Sequence, residues 1–156
     1  MISIHPYSSE NFSDLQRLVA ELQDVLYKLE PEIVGSGTSI GTPYTKYLLE
    51  QLNKKPGIIY LARSNTQIIG FVAGRLEHDQ DESFEYLWIS DIVVTEKERG
   101  KGIGSLLLQK IEEYAKNQGI SHLKIASLVV NKGAQKLYRK NGFRDYSVLL
   151  YKKIGN

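Results

Sequence analysis

The sequence predicts an α/β fold with layered α+β character: a mixed, mostly antiparallel central sheet with helices on both faces. A stretch of helical periodicity and a second helix marked by a cap signal come early in the chain, and three β-rich runs follow at residues 58–63, 68–76 and 84–94 with no helix between them. A glycine-rich loop then leads into an apolar helical stripe and another strand, which is a βαβ unit. With 156 residues and 42% hydrophobic content, we expect one domain spanning residues 1–156.

The first half of the chain predicts one strand and two helices. Residues 2–5 alternate as a strand, and a long amphipathic helix closed by Pro31 follows, with apolar side chains at Phe12, Leu15, Leu18, Val19, Leu22, Val25, Leu26 and Leu29. The glycines of residues 35–41 predict a flexible stretch, which is either a substrate-gating loop or a plain connector. Thr42 and Pro43 are predicted as the cap and first position of a second helix that reaches about Lys54.

The second half predicts a hairpin, the βαβ unit and a short helix. Residues 64–67 join the first two β-rich runs. The apolar stripe after the glycine loop ends at Gly119 before a strand at residues 120–128, and its members are Ile103, Leu106, Leu107, Ile111, Tyr114 and Ala115. Asn131 can cap a short helix that Asn141 and Gly142 stop, and residues 143–154 are predicted as a last strand.

Composition disfavours several function classes. The chain has no cysteine and three scattered histidines, which excludes disulfides, a thiolate nucleophile and a cysteine zinc site, so we expect no metal site. A net charge of +2 without a long basic block gives little reason to expect a nucleic acid or membrane partner. No long apolar run or export signal is present, so a cytoplasmic location is expected, and a homodimer stays open.

The loop between the third β-rich run and the apolar helix has the features of an anion site. Glycines let the backbone approach a ligand, and the helix N-terminus presents unpaired N–H groups. A dinucleotide fingerprint beginning at Gly100 would need glycine where Ser105 stands, and a P-loop would need Gly-Lys-Ser/Thr where Gly100-Lys101-Gly102 stands. Pyrophosphate binding by another kind of loop and a purely structural tight turn both stay open.

Two motifs carry a resemblance to a known family. Arg99-x-x-Gly102-x-Gly104, directly after an apolar strand, resembles the acetyl-CoA signature of the GNAT family of N-acetyltransferases. Further along the chain, the spacing of Asn131, Ala134, Leu137-Tyr138 and Gly142-Phe143 resembles the family's second signature. The resemblance implies the family fold, acetyl-CoA as acetyl donor and an amine as acceptor.

The resemblance also implies where the donor binds. The third β-rich run and the strand at residues 120–128 would splay apart, and the pantetheine arm would pair like a strand with the backbone of Ile92, Val93 and Val94. The pyrophosphate would meet the backbone N–H groups of Arg99, Gly100, Lys101, Gly102, Ile103, Gly104 and Ser105. Lys97 and Lys101 either add positive charge there or are solvated surface. Asn131 would cap its helix and also hydrogen-bond the pantetheine or nearby backbone.

The implied chemistry needs an oxyanion donor, a general acid and a base. A backbone N–H near Ile92 on a bulged strand would hold the oxyanion, and Tyr138 would protonate the departing thiolate. Trp88 stands where protein-lysine members of the family carry a glutamate, and strand alternation puts Ser90 on the Trp88 face but Glu85 and Asp91 on the other. No carboxylate therefore replaces the base, and a water chain is expected instead.

The sequence says least about the acceptor and its pocket. Tyr86, Trp88 and Ser90 are predicted to line the acceptor pocket, with ordinary sheet packing as the alternative for both aromatic residues. The predicted activity is acetyl transfer from acetyl-CoA to a primary amine of a small molecule. A peptide N-terminus or lysine as acceptor, and a non-catalytic acyl-CoA-binding module, are the alternatives.

Overall fold

The computed structural model describes residues 1–155, whose centre is a five-stranded sheet in the order β1-β2-β3-β4-β5. The strands are β1 (Ile2–Pro6), β2 (Gly57–Ser64), β3 (Gln67–Glu77), β4 (Tyr86–Val94) and β5 (Leu123–Ile125). The first three neighbouring pairs are antiparallel and β4–β5 is parallel. The predicted mixed, mostly antiparallel sheet is therefore confirmed.

Helices cover both faces of the sheet, as predicted. The four helices are α1 (Phe12–Leu29), α2 (Gly37–Lys54), α3 (Ile103–Asn117) and α4 (Lys132–Lys140). One core lies between α1, α2 and the sheet around Leu15, Leu48 and Phe71, and the other lies under α3 around Leu87 and Leu107. The α3 stripe differs from the prediction in one position, because Leu106 is 42% exposed and Leu108 is buried in its place.

The start of α2 corrects the prediction for residues 35–41. The helix begins at Gly37 rather than at Pro43, which lies inside it. Gly37 and Gly41 are one turn apart and face Ala20 of α1, so closely that a Cβ on Gly37 would sit 2.2 Å from the Ala20 carbonyl oxygen. The glycines therefore serve close helix packing, and the Gly37 N–H donates a 2.7 Å hydrogen bond to Asp24 of α1. This tertiary contact outweighs the usual preference of proline for a helix start.

A bulge in β4 decides which side chains face α1 and α2. Asp91 pairs with Ala73 and Ile89 pairs with Gly74, so Ser90 is an extra residue in β4. Trp88 pairs with Arg75 of β3, and Asp91 pairs with Ala73. Because the extra residue shifts the alternation, the side chains of Trp88 and Asp91 lie on the same face of the sheet. The prediction from strict alternation, which put Trp88 and Asp91 on opposite faces of the strand, is therefore wrong.

The end of the chain also departs from the prediction. β5 spans three residues rather than 120–128, and no strand forms in residues 143–155. The side chains of Val148, Leu149, Leu150 and Ile154 are 79% to 94% exposed. A strand needs a hydrogen-bonded neighbour, and this segment pairs with none of the five described strands.

Candidate active site

A gap opens between β4 and β5 at the bulge. The two strands pair only at Leu87–Leu123, Trp88–Lys124 and Ile89–Ile125. From Ser90 to Val94, β4 keeps its partner β3 on one edge and has no strand partner among residues 1–155 on the other. Ile92, Val93 and Val94 thus present unpaired backbone, which is the geometry that an extended ligand needs to add itself as a strand.

The glycine loop forms a cradle at the end of this gap. Gly100 and Gly102 have φ of +77° and +83°, in the left-handed region where side chains are strained. Within the described chain, the backbone N–H groups of residues 100–105 donate no hydrogen bond to protein atoms. The Arg99 N–H, which was predicted to join them, instead donates to the Glu96 carbonyl at 3.2 Å, so the predicted set is one residue too long. The last three of residues 100–105 open α3, so free donors and the positive end of the helix point the same way. Such a cradle fits a pyrophosphate.

Gly104 has a different role from the other loop glycines. It lies inside α3, and a Cβ there would come within 2.9 Å of Leu137 Cδ2 on α4. Asn141 of α4 donates a 3.0 Å hydrogen bond to Ser105 Oγ, and Asn131 caps α4 by accepting from the Ala134 N–H at 3.2 Å. Gly104 therefore allows α4 to pack against the start of α3.

The charged residues of the loop are tied to the protein. The Arg99 Nε donates to the Val94 carbonyl at 2.8 Å, and Lys101 pairs with Glu98. Glu21 of α1 holds the loop from below, since its carboxylate accepts from Thr95 Oγ1 and from the Glu96 N–H, both at 2.9 Å. Glu21 could not be predicted from the sequence, because nothing in a helix pattern shows that one glutamate faces a distant loop.

Tyr138 lies on the side of α4 that packs against the α3 core. It contacts the ring of Phe143, with centroids 6.1 Å apart. Burial, helped by the nearby Asp91 carboxylate, raises the pKa of Tyr138 to about 12. The phenol is consequently protonated at neutral pH and has a proton to donate.

The polar contacts of Tyr86 are with charged residues outside β4. Its hydroxyl donates to Asp79 at 2.9 Å, and Lys124 Nζ lies 3.9 Å from the centre of its ring. Lys124 also bonds Glu82 at 2.6 Å, so Tyr86 belongs to a charged cluster at the start of β4. Trp88, half-buried, lies between this cluster and the bulge. Ser90 is the bulge itself, and its buried hydroxyl makes no hydrogen bond of acceptable geometry within the described chain.

Asp91 is the main feature that the sequence analysis missed. It is only 6% exposed, and the hydroxyl of Tyr44 on α2 donates to both of its carboxylate oxygens, at 3.0 and 3.2 Å. Burial raises the pKa of Asp91 above its ordinary value, which outweighs the lowering by Ser90, Tyr44 and Arg75. A buried carboxylate with a raised pKa beside an open gap is a typical functional group.

Sequence comparison identifies the family. Residues 22–143 match the sequence profile of the Acetyltransferase (GNAT) family. The chain belongs to that family. The uncharacterized N-acetyltransferase YhdJ of Bacillus subtilis is 30% identical over 112 residues, which are 71% of this chain and 78% of YhdJ. YycN of the same organism, also an uncharacterized N-acetyltransferase, is 35% identical over 78 residues, and the match spans about half of each protein, 50% and 47%.

Solved structures share the fold. A predicted acetyltransferase of Clostridium acetobutylicum, solved with acetyl-CoA, superposes with a TM-score of 0.77 at 21% identity, over 98% of this chain and 96% of that one. Relatives and structural neighbours are thus acetyltransferases, which supports an acetyl-transfer enzyme. Across residues 1–155, no helix is long and apolar enough to cross a membrane.

Proposed function

We propose that the protein transfers the acetyl group of acetyl-CoA to a primary amine of a small molecule. The observation that carries this proposal is the continuity of the unpaired β4 edge with the cradle of free N–H groups at residues 100–105. An extended pantetheine arm fits the first, and a pyrophosphate fits the second. Tyr138 lies beside the same gap with a proton to donate.

The residues of the chain supply positioning and proton transfer. The cradle holds the diphosphate, and Ile92, Val93 and Val94 align the arm through their backbone. The bulge at Ser90 interrupts the regular ladder, which supports a free N–H near Ile92 as the oxyanion donor. Tyr138 donates its hydroxyl proton to the departing sulfur. Acetyl-CoA is an activated thioester, so it needs no covalent intermediate on the enzyme.

A small acceptor is favoured by the enclosure of the site. Asp91 lies under Tyr44 of α2 and is 6% exposed, and Trp88 is half-buried on the same face. A slender amine can enter such a space more easily than a peptide backbone, which carries polar groups that must stay solvated or paired.

A screen for thiol released from acetyl-CoA tests the proposal. The panel contains n-butylamine, lysine amide, glucosamine, a peptide with a free N-terminus and a blocked peptide with one lysine. We expect release with at least one small amine and little with the peptides. Release with a peptide alone would reassign the acceptor. If calorimetry shows acetyl-CoA binding but no amine produces thiol, the protein is an acyl-CoA-binding module instead.

A further inference from the structure

Asp91 is a buried carboxylate beside the gap that the reaction described so far does not use. The bulge at Ser90 turns it onto the face of Trp88, at the point where β4 loses its pairing with β5. Its 6% exposure gives the charge little access to bulk water. A buried charge is costly unless it is paired, so its persistence here requires an explanation.

The protein itself leaves Asp91 incompletely paired. One hydroxyl, that of Tyr44, serves both carboxylate oxygens, although a carboxylate accepts about four hydrogen bonds. The neighbouring Ser90 hydroxyl is close enough to lower the pKa of Asp91, but it makes no hydrogen bond of acceptable geometry. Arg75 of β3 is close enough to lower the pKa of Asp91, but its Nε bonds Glu77 at 2.8 Å and no Arg75–Asp91 ion pair forms. The carboxylate has room for another donor, and a positive one would suit it best.

Tyr138 packs against the same α3-side core as Ile92 and Ile125, which border the gap on β4 and β5. The Asp91 carboxylate raises the pKa of Tyr138, so the two side chains interact although they come from β4 and α4. A carboxylate that can accept a proton and a phenol that can donate one therefore flank the unpaired stretch of β4. Such a pair is the arrangement that general acid–base catalysis needs.

We propose that Asp91 binds the ammonium group of the acceptor and takes its proton, so that it is the catalytic base of this enzyme. The inference rests on the proposed acetyl transfer and deepens it. It replaces the water chain expected from the sequence, since a carboxylate does face the Trp88 side of β4.

The proton transfers balance for a cationic amine. Asp91 accepts one proton from R–NH3⁺, and the freed lone pair forms the C–N bond at the thioester carbonyl carbon. The C–S bond breaks with its electron pair on sulfur, which takes the Tyr138 hydroxyl proton. The second nitrogen proton, acidic while nitrogen is positive, returns to the Tyr138 oxygen. Asp91 then releases its proton to water, so the products are the N-acetyl amine, coenzyme A and H⁺.

The surroundings of Asp91 suit this role and define the substrate class. Burial makes the carboxylate a stronger base than an exposed aspartate. An ammonium ion would supply the missing hydrogen-bond donors and offset the buried charge. The acceptor is thus a primary amine that is cationic in solution and carried on a slender chain, whereas neutral alcohols and anilines lack the charge that the site needs.

The test compares Asp91→Asn with Glu85→Gln, a matched neutralisation of an exposed carboxylate just before β4. With the best acceptor of the panel, we expect kcat/KM of Asp91→Asn at pH 7 to fall by about 10²–10⁴-fold and Glu85→Gln to stay near the parent. The loss should shrink toward pH ~10, where the amine deprotonates in solution. Calorimetry should give unchanged acetyl-CoA affinity for both variants, which also shows that they are folded.

Each outcome of this comparison decides one proposal. If the parent turns over and Asp91→Asn does so equally fast, Asp91 is not the base, and the acetyltransferase assignment stands. If the Asp91→Asn defect is the same at every pH, Asp91 has a structural role only. If the parent releases no thiol with any amine, the proposed function fails and this inference fails with it.

Carbon-13 NMR of labelled aspartate carboxyl groups gives a readout that does not depend on turnover. The signal missing from Asp91→Asn identifies Asp91. The groups acting on it are the neighbouring Ser90, Tyr44 from α2, Arg75 from β3 and Tyr138 from α4. The pKa values of Tyr44 and Tyr138 are raised, so both phenols stay neutral over the range in which the carboxyl group titrates. Adding the best acceptor amine should lower the Asp91 pKa, because a positive charge favours the carboxylate, whereas its neutral N-acetylated product should not. Equal effects of the two compounds would contradict ammonium binding.

Discussion

Tyr138 and Asp91 hold their protons over different pH ranges, and the structure gives the cause for each. Burial raises the pKa of both, to about 12 for Tyr138. The phenol therefore remains a proton donor up to strongly alkaline pH. Burial makes the Asp91 carboxylate a stronger base than an exposed aspartate. The two environments thus suit the different roles proposed for these residues, Tyr138 as acid and Asp91 as base.

Replacing Tyr138 by phenylalanine removes only the hydroxyl. We expect thiol release at saturating acetyl-CoA to fall by at least roughly tenfold, because the sulfur would have to take its proton from water. Packing against Phe143 is kept, so folding should change little. Single-turnover thiol release beside a denaturant melt of the same preparation measures both. A variant with full rate and reduced stability would make Tyr138 a core residue only.

Asp91→Asn should have a stability effect that is opposite in sign to its effect on activity. The folded-state pKa of Asp91 is raised above the unfolded value, so ionising it at neutral pH works against the folded state. The free energy of unfolding of the parent protein therefore rises as the pH falls through the folded-state pKa of Asp91. This gain is complete below the pKa that Asp91 has in the unfolded chain. The asparagine variant should melt at a higher temperature than the parent at pH 7.

The same comparison at acidic pH provides the control. As the pH falls through the raised pKa of Asp91, the parent carboxyl becomes protonated in the folded state, so the difference between the two melting curves should shrink. Thermal melts at pH 4, 5.5 and 7 measure it. A variant that is less stable by the same amount at every pH would mean that the bond to Tyr44, and not the buried charge, dominates.

The site residues that could be predicted from the sequence are those that act through local sequence patterns. The free N–H groups of the loop follow from glycines at a strand-to-helix junction, and Tyr138 follows from its place in a family signature. Asp91 could not be found in this way, because alternation along a strand assumes a regular ladder. The extra residue Ser90 reverses the faces beyond it, and no side-chain pattern marks it.

At the scale of elements, the contact between α3 and α4 places Tyr138 relative to the cradle. Gly104→Val should push Leu137 away, since even a Cβ at this position lies 2.9 Å from its Cδ2. We expect a loss of about 1–3 kcal/mol in folding stability from overpacking, together with reduced turnover. The double variant Gly104→Val/Leu137→Ala should recover part of both, measured by urea melts and thiol release. Independent, additive effects of the two changes would contradict the contact.

Gly102→Val should act differently, because a Cβ there meets no atom within 4 Å but φ is +83°. The strain in the left-handed region costs of order 1–3 kcal/mol and favours another loop conformation. We therefore expect acetyl-CoA affinity to fall more than turnover of the bound enzyme. Calorimetric titration and saturation kinetics separate the two. Unchanged affinity in a folded variant would remove this loop from the donor site.

Glu21 connects α1 to the same loop and provides a prediction that involves no ligand contact. Glu21→Ala removes the carboxylate that accepts the Thr95 hydroxyl and Glu96 N–H bonds, and hydrogen bonds to a charged group are each worth about 1.5–3 kcal/mol. Acetyl-CoA affinity should fall by roughly tenfold as the loop loosens. Glu50→Ala, an exposed glutamate on α2, is the matched control for calorimetry. Equal affinities in both variants would show that the loop keeps its shape without α1.

The order and type of most elements follow from periodicity, and the departures have tertiary causes. α2 begins six residues before Pro43 because Gly37 and Gly41 fit against Ala20, a contact that no local propensity describes. Residues 143–154 have the composition of a strand, yet strand formation depends on a free partner edge. Propensity therefore predicted an element that the described fold does not contain.

At the scale of the whole molecule, the bulge divides β4 into a half with strand neighbours on both edges and a half with a neighbour on one edge. β3 pairs with both halves of β4, whereas β5 pairs only with the first half, so the second half of β4 has only β3 beside it. The cradle and α4 border this half-paired region. A ligand that fills the gap would therefore contact the second half of β4, the cradle and α4 at the same time, and its binding would stabilise the folded state.

Acetyl-CoA should accordingly stabilise the entire fold. Binding to the native state alone adds about 2.7 kcal/mol at a concentration one hundred times the dissociation constant. For a chain of 156 residues, we expect the melting temperature to rise by ~5–11 °C. NAD and ATP at the same concentration should raise it much less, because the loop has neither the dinucleotide fingerprint nor the P-loop sequence. Coenzyme A shares the pantetheine arm and the pyrophosphate, so it should produce most of the acetyl-CoA shift. A melt that NAD or ATP raises and acetyl-CoA leaves unmoved would overturn the assignment of residues 99–105 to the donor site.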